Sequence, residues 1–219
     1  RNDPIITYFS QAKSRKGCVL EALGNIYPDA SIEDAFRILR SHGYTDSIPS
    51  DSLTANTICM HAGFGPVRIN QTTGSMVIEM TGDTVTIWIT GTSSPCLSVF
   101  QPVRFEEFID DTVISSEDDW RANEIFHRQA LFCLPSFIHS FEDERDKLED
   151  DFVNQIRLNE LQTAADHAAI IQKIKNQKDE FLTIWKSKAA NAQKQKRIFF
   201  YHKAWQQFNR LGKFNLPNT

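Results

Sequence analysis

Two polar stretches in the middle of the chain carry the side chains best suited to bind a small substrate. The first reads CMHAGFGPVRINQTTGSMV over residues 59–77, and the second reads ITGTSSPCLSVFQPVRF over residues 89–105. Both stretches border the same predicted hairpin, so we expect them to meet at one end of a sheet, where converging polar groups form a pocket. The candidate pocket residues are His61, Gln71, Thr72, Thr73 and Ser75.

Several of these candidates also have a purely structural interpretation. Thr72 and Thr73 can bond backbone groups at the entry to a strand, and His61 can be a buried histidine that is satisfied within the core. Ser75 lies two residues after Thr73, so both side chains point to the same face of a strand. The residue types alone leave both interpretations open.

A helical segment later in the chain groups Glu124, His127 and Arg128 at spacings of three and four. This spacing favours a cluster of salt bridges and hydrogen bonds within one helix over a catalytic site. His127 and His139 flank Cys133 in steps of six, which do not share a helix face, so we expect no metal site there. The sequence contains no P-loop, GxSxG or HExxH motif.

The four cysteines, Cys18, Cys59, Cys96 and Cys133, are widely spread and form no CxxC pair. This spacing is typical neither of a disulfide framework nor of a zinc site, and it favours reduced thiols. Cys96 lies in a turn, but no basic residue stands three or four positions away and no triad pattern surrounds it. We therefore do not interpret it as a nucleophile, and we expect no metal and no cofactor.

Three segments, taken in order, resemble the secernin family and the related bacterial cysteine dipeptidases. Residues 71–77 read QTTGSMV, where the family has a QTT-x-SMV strand. Residues 90–102 read TGTSSPCLSVFQP, where the family has TG-[TS]-x-x-P-x-x-S-[VL]-F-x-P. Residues 120–128 read WRANEIFHR, where the family has a W-x-x-x-E-x-x-H-R helix. The resemblance covers residues 5 to about 160.

This resemblance implies an N-terminal-nucleophile (Ntn) hydrolase fold, a four-layer αββα sandwich. In that family a cysteine at the mature N-terminus is the nucleophile, and its own α-amine acts as the base. The reaction is the hydrolysis of dipeptides or related small amides, and it needs no metal. Here residue 1 is Arg. We therefore interpret the chain as the C-terminal portion of such an enzyme, whose nucleophilic cysteine belongs to a missing segment or a separate chain.

The distribution of charge allows a different interpretation of the C-terminal part. Residues 1–170 hold 13 Lys and Arg against 26 Asp and Glu, a net charge of −13. Residues 171–219 hold 11 against 2, a net charge of +9. A basic segment can contact nucleic acid or another anionic surface. No recognised nucleic-acid-binding motif accompanies it, so we favour packing against the acidic helix at residues 142–151.

Two alternatives to the hydrolase portion therefore remain: a non-catalytic interaction or scaffold protein that keeps the fold, and a basic-tailed binding module.

Hydrophobic residues make up 41% of the chain and charged residues 24%, as in globular proteins. The sequence shows neither a signal peptide nor a membrane-spanning run, which predicts a cytoplasmic protein without membrane contact. If the chain is a portion, we expect uncovered apolar surface and self-association.

The elements that must position these residues begin with two helices. We predict the first over residues 5–23, ended by Gly24-Asn25. The second covers residues 32–42, with Ser31 as its N-cap and Gly43 at its end. The segment over residues 43–56 is rich in polar and turn residues and is interpreted as a loop.

Strands follow in the middle of the chain. Residues 57–61 and 96–103 are strand candidates, and residues 73–81 and 84–90 form a hairpin around Gly82-Asp83. Alternating residues place the apolar side chains on one face of this hairpin and mostly threonines on the other. This alternation is typical of a sheet whose apolar face packs on helices.

From about residue 115 the sequence predicts helices to the end, with a break at Pro135. Two helices, antiparallel strands and then several helices indicate an α+β fold. We divide the chain into residues 1–165, the hydrolase-like portion, and residues 166–219, a basic helical extension packed on it.

Overall fold

The computed structural model describes residues 11–43, 57–64, 67–82, 84–103, 117–158 and 164–216. Within these ranges the chain is a mixed α+β structure of six helices and one three-stranded antiparallel sheet. This confirms the predicted α+β class. Most of the predicted loop over residues 43–56 and the start of the first predicted helix lie outside the described residues.

The first helix, α1, covers Ala12–Ile26 and therefore runs through Gly24. The prediction that Gly24 ends this helix is wrong. A single helical glycine costs only about 1 kcal/mol relative to alanine, which neighbouring helical residues can offset. The helix ends at Ile26 and its C-cap Tyr27 is extended, because the ring of Pro28 disfavours the helical conformation of the preceding residue.

The second helix, α2, covers Ile32–Arg40, and its N-cap is Ser31 as predicted. The Ser31 hydroxyl accepts a hydrogen bond of 3.2 Å from the Asp34 backbone N–H. The Asp34 carboxylate in turn accepts one of 3.1 Å from the Ser31 N–H. This capping box satisfies two backbone donors at the helix start. The helix ends at Arg40, two residues earlier than predicted.

The predicted hairpin is present. Strand β1 covers Ser75–Thr81, strand β2 covers Thr84–Thr90, and they pair antiparallel with Thr81 opposite Thr84. Gly82 begins the two-residue turn with φ +60°, a conformation that glycine adopts without steric cost. Strand β3, Gln101–Val103, pairs antiparallel with β2, which makes β2 the central strand.

The two faces of this sheet have different surroundings. On one face, Trp88 is fully buried and its ring meets Phe36 of α2 edge-on, with 5.5 Å between centroids. On the other face, Met76, Ile78 and Met80 of β1 expose 57%, 51% and 76% of their surface, whereas Ile87 of β2 and Val103 of β3 are buried. The prediction that the alternating apolar face packs on helices is therefore wrong for β1. Helix α2 packs on the opposite face instead, where Phe36 contacts the large indole of Trp88.

The two remaining strand predictions are wrong or only partly right. Residues 57–61 form no strand and have an irregular backbone conformation instead. Of the candidate over residues 96–103, only β3 is a strand. It is preceded by one 3₁₀ turn at Pro95–Leu97, since proline has no N–H for a strand ladder and suits the first position of a helical turn.

Four helices follow, as the sequence predicted. They are α3 (Glu117–Ala130), α4 (Pro135–Leu158), α5 (Ala164–Asn191) and α6 (Phe199–Leu211). Pro135 lies at the break between α3 and α4 as the first residue of α4, where a missing backbone N–H costs no helical hydrogen bond. No helix in the described ranges combines the length and the apolar character that crossing a membrane requires.

One hydrophobic core joins residues from both ends of the described chain. It extends from Ile32 of α2 to Trp205 of α6. Phe36 stacks on Phe100 at 4.2 Å between centroids, and Phe141 of α4 meets Trp185 of α5 edge-on at 5.3 Å. Helix α5 packs on α3, α4 and β3. The proposed division at residue 165 stays a prediction, with both parts contributing to this one core.

Several basic side chains after residue 170 bind groups of the same chain. Lys188 of α5 lies 3.5 Å from the Glu144 carboxylate of α4. The Lys178 ammonium is buried and donates a hydrogen bond of 2.6 Å to Gln101 Oε1. These contacts favour the interpretation that the basic segment packs on its own chain rather than on nucleic acid.

Candidate functional site

The structure places the two polar stretches side by side. The Ser94 backbone N–H donates a hydrogen bond of 2.8 Å to the Thr72 carbonyl. Thr72 also holds the segment that carries Met60, since its N–H donates to the Met60 carbonyl and its Oγ1 accepts from the Met60 N–H, both at 3.0 Å. The Thr72 side chain therefore bonds backbone at the strand entry, which is its structural interpretation.

The other candidates on β1 and just before it are more open. Thr73 is exposed, and Gln71 and Ser75 are half-buried. The Gln71 side-chain oxygen is buried and has no hydrogen-bond partner among the described residues. The Ser75 backbone N–H donates to Thr90 Oγ1 at 2.8 Å. These residues share the end of β1 with the polar turn after β2, while His61 points into the protein.

His61 is only 4% exposed and lies among three other side chains with nitrogen or sulfur donor atoms. Its Nε2 lies 3.0 Å from His42 Nε2, 3.3 Å from Cys96 Sγ and 3.6 Å from Cys59 Sγ. Cys59, His61 and Cys96 are buried and His42 is half-buried. The four side chains are named here the Cys–His cluster.

A hydrogen-bond relay leads away from the other nitrogen of the His61 ring. Ser94 Oγ lies 3.3 Å from His61 Nδ1 and 2.9 Å from His127 Nε2. On its far side, His127 Nδ1 lies 3.7 Å from a carboxylate oxygen of Glu124. A Ser–His–carboxylate series is the arrangement of serine hydrolases. Here Ser94 is 0% exposed, so its hydroxyl positions two imidazoles and reaches no substrate.

The same helix confirms the favoured interpretation of the Glu124, His127 and Arg128 spacing. The Arg128 Nε donates a hydrogen bond of 2.9 Å to Glu124, one helical turn away. Arg128 also donates to the Asn209 side chain of α6 at 2.6 Å. Glu124 is therefore held between a histidine and an arginine, and this cluster joins α3 to α6.

The electrostatic surroundings keep His61 neutral and distinguish the two thiols. Burial, which disfavours the charged form, lowers the pKa of His61 to about 4. Burial also raises the pKa of Cys59, but a hydrogen bond from Cys96 and the interactions with the His61 and His42 rings outweigh it and bring that pKa well below its usual range. Burial and the neighbouring Cys59 raise the pKa of Cys96.

The turn that carries Cys96 is held by two buried arginines. Arg40, the last residue of α2, donates to the Pro95 carbonyl at 2.9 Å and to the Ser98 carbonyl at 3.2 Å. Arg145 of α4 donates to the Cys96 carbonyl. Three carbonyls of one short turn are thus bonded to side chains from two helices, which fixes the position of the Cys96 thiol.

No protein-family model, curated protein or solved structure matches the chain. The resemblance to the secernin family and the cysteine dipeptidases therefore rests on the three sequence segments and stays a prediction.

Sequence reasoning did not group the members of the Cys–His cluster. His61 lies 19 residues after His42 and 35 residues before Cys96, and no spacing rule connects such distant positions. The signal that was present is local: Cys59 and His61 are separated by one residue within an apolar segment. The fold adds Cys96 and His42, since the turn after β2 and the end of α2 both meet this segment.

Proposed function

We propose that this chain is the C-terminal portion of a cysteine Ntn hydrolase that acts on dipeptides or related small amides. The observation that carries the proposal is the uncovered apolar face of β1. In an αββα sandwich, two sheets pack face to face and each has helices on its outer face. Here α2 covers one face of the sheet. On the other face Ile87 and Val103 are buried, whereas Met76, Ile78 and Met80 along β1 are exposed. A second sheet, carrying the nucleophile, would bury them.

The chemistry follows from an N-terminal cysteine on that second sheet. The α-amine takes the thiol proton, and the thiolate attacks the amide carbonyl. The amide C–N bond breaks, the departing amine receives the proton, and water then hydrolyses the thioester to release the acid. In this proposal the present chain supplies binding groups at the end of β1, from Gln71, Thr73 and Ser75. Thr72 and His61 support those groups from within the protein.

The experiment that tests the proposal uses protein purified from its natural source without a tag. We expect N-terminal sequencing and intact mass to find a polypeptide that begins with Cys, either continuous with this chain or copurifying with it. That preparation should hydrolyse members of a dipeptide panel, and replacing the N-terminal Cys by Ala should abolish the hydrolysis. Absence of any chain beginning with Cys, with no hydrolysis across the panel, would overturn the proposal.

A matched pair of variants tests the role of the strand end. Thr73→Val removes a hydroxyl at the proposed binding end of β1, and Thr81→Val removes one at the hairpin end of the same strand. We expect Thr73→Val to lower kcat/KM about 10-fold, the effect of losing one hydrogen bond worth about 1.4 kcal/mol. Thr81→Val should leave kcat/KM unchanged. If both variants keep the activity and stability of the unaltered protein, Thr73 does not bind the substrate.

The two alternative functions give different results in the same preparation. A scaffold protein would show no N-terminal Cys and no hydrolysis but would retain the fold. A basic-tailed binding module would bind a polyanion column in a salt-dependent way, and neutralising exposed lysines after residue 170 would abolish retention. Contacts such as Lys178 with Gln101 and Lys188 with Glu144 favour neither alternative.

A further inference from the structure

We propose that the Cys–His cluster is a structural zinc site, with Cys59, Cys96, His61 and His42 as its four ligands. One donor atom from each residue lies within 4.8 Å of all the others. Two thiolates and two imidazoles are a ligand set that zinc takes in closed, four-coordinate structural sites. The site shares His61 with the residues that support the proposed substrate-binding end of β1, but whether it binds metal does not depend on the hydrolase proposal.

The three distances from His61 Nε2 to the other donor atoms are close to the edges of a tetrahedron around zinc. Zinc lies about 2.0–2.1 Å from a histidine nitrogen and about 2.3 Å from a thiolate sulfur. A tetrahedron with those bond lengths has nitrogen–nitrogen edges of about 3.3 Å and nitrogen–sulfur edges of about 3.6 Å. His61 Nε2 lies 3.0 Å from His42 Nε2 and 3.3 and 3.6 Å from the two sulfurs. The other donor pairs lie within 4.8 Å of one another, so shifts of up to about 1 Å would bring all four atoms into coordination.

The surroundings of the cluster supply the support that zinc ligands usually have. A metal-bound histidine normally uses its second ring nitrogen for a hydrogen bond that fixes the ring. His61 has this contact, since its Nδ1 faces Ser94 Oγ and that hydroxyl continues to His127. Backbone bonds fix the sulfur ligands: the Cys59 N–H donates to the Ser41 carbonyl at 3.1 Å, and Arg145 holds the Cys96 carbonyl.

The charges of the cluster also suit a divalent ion. Two thiolates and two neutral imidazoles balance the charge of Zn²⁺, so the loaded site would bury no net charge. Soft sulfur ligands select against Mg²⁺ and Ca²⁺, and an S₂N₂ tetrahedron favours zinc among the common divalent ions. His42 is half-buried, which leaves a route for the ion.

The first experiment measures metal on the complete protein, purified without chelators or an affinity tag. We expect one zinc per chain by elemental analysis. After removal of the zinc under reducing conditions, titration with Co²⁺ should give the intense visible bands of tetrahedral cobalt together with thiolate-to-cobalt charge transfer. Those bands should disappear when zinc is added. Reduced protein that binds neither ion, or gives the weak spectrum of octahedral cobalt, would overturn the proposal.

The variants compare a cluster cysteine with a buried cysteine elsewhere. Cys96→Ser should lose stoichiometric zinc and the charge-transfer band, whereas Cys133→Ser, at a buried site between α3 and Lys194, should keep both. His42→Ala provides the test if Cys96→Ser does not fold, because His42 is only half-buried. It should give a weaker, altered cobalt spectrum. Ser94→Ala, one step outside the ligands, should weaken zinc binding by about 10- to 100-fold.

A disulfide is the main competing product of the two neighbouring thiols. If Cys59 and Cys96 pair covalently in the native protein, intact mass will be lower by two hydrogens and thiol titration will find two fewer thiols. That result, with no zinc regained after reduction, would overturn the proposal. All these readouts are independent of catalysis, so a failure of the hydrolase proposal leaves them unaffected, and failure of zinc binding leaves the hydrolase proposal standing.

Discussion

At the scale of single residues, the centre of this protein is organised by side chains that are buried and polar at the same time. Each buried polar group needs a partner, since leaving one unsatisfied costs about 1–3 kcal/mol and leaving a charge costs more. His61 contacts other side chains through both ring nitrogens, and Arg40 bonds three residues on two separate segments. Such groups fix the positions of neighbouring turns more narrowly than apolar contacts do.

The buried pair of Arg40 and Glu149 should be among the most costly contacts to break. Both residues are nearly inaccessible, and Glu149 also accepts a hydrogen bond from the Phe100 N–H. We expect Glu149→Ala to lower the free energy of unfolding by about 3–5 kcal/mol, because it leaves the buried Arg40 guanidinium with only the longer 3.8 Å contact to the Asp146 carboxylate. Urea denaturation measures this change.

The exposed pair of Glu144 and Lys188 is the matched control. Glu144→Ala removes a carboxylate from the same helix. Water screens its exposed pair with Lys188, and the carboxylate also accepts a hydrogen bond of 3.1 Å from Trp185 Nε1, so we expect a cost of about 1–2 kcal/mol. Equal losses for Glu149→Ala and Glu144→Ala would contradict the importance assigned to the buried pair.

Glu124 should make stability depend on pH in the acid range. Burial raises its pKa, but His127, Ser93 and Arg128 outweigh that effect and bring it from 4.5 down to about 2. Because the unfolded state then binds more protons, the free energy of unfolding falls as pH drops from about 5 to about 2, by about 3 kcal/mol. Urea denaturation across this range should show a smaller decrease for Glu124→Gln. Parallel pH curves for the two proteins would contradict the prediction.

At the scale of elements, the C-terminal helix α6 packs closely on the irregular segment after His61. Gly63 lies in the connection that follows Cys59 and His61, directly under the Tyr201 ring of α6. This contact ties the C-terminal helix to the segment that supplies two of the proposed zinc ligands. It also explains why the sequence has a glycine at this position.

Gly63→Ala should therefore destabilise the protein. A Cβ atom at this position would overlap carbons of the Tyr201 ring and lie 2.8 Å from Arg68 Nη2. We expect a loss of about 1–3 kcal/mol from overpacking, measured by thermal or urea denaturation. Gly17→Ala is the control, since Gly17 lies within α1 with no atom within 4 Å of the added Cβ. It should stabilise the protein by up to about 1 kcal/mol. A neutral Gly63→Ala would show that α6 moves away at little cost.

At the scale of the whole molecule, the uncovered face of β1 decides how the chain behaves alone. Met76, Ile78 and Met80 form a row along an edge strand, and Val85 of β2 is 49% exposed on the same face. Monomeric proteins seldom leave such a continuous apolar row exposed, and an edge strand invites pairing with another chain. The chain outside a complete assembly should therefore self-associate.

Light scattering over a concentration series tests this expectation. The mass of the isolated chain should rise with concentration, and Ile78→Lys should reduce the association by placing a charge in the middle of the row. Ile184→Lys, at a position on α5 that is 48% exposed, should leave association unchanged. A constant monomer mass for the unaltered chain would count against both the self-association and the proposed missing sheet.

The sequence by itself determined the features that depend on neighbouring residues. Helical spacing located α2 to α6, Ser31 with Asp34 marked a helix start, and Gly82 marked the hairpin. The same local reasoning identified both polar stretches that meet at Thr72 and Ser94. These predictions succeed because capping, turn geometry and side-chain periodicity act over a few residues.

The tertiary structure alone decided which faces are buried and which distant residues meet. The side of the sheet that packs on α2 depends on how Trp88 fits Phe36, and residues 57–61 take their path from bonds to Ser41 and Thr72. The Cys–His cluster forms because α2, this segment and the turn after β2 converge. Such contacts join residues far apart in sequence, and they are selected by the packing of the whole core, which no local pattern encodes.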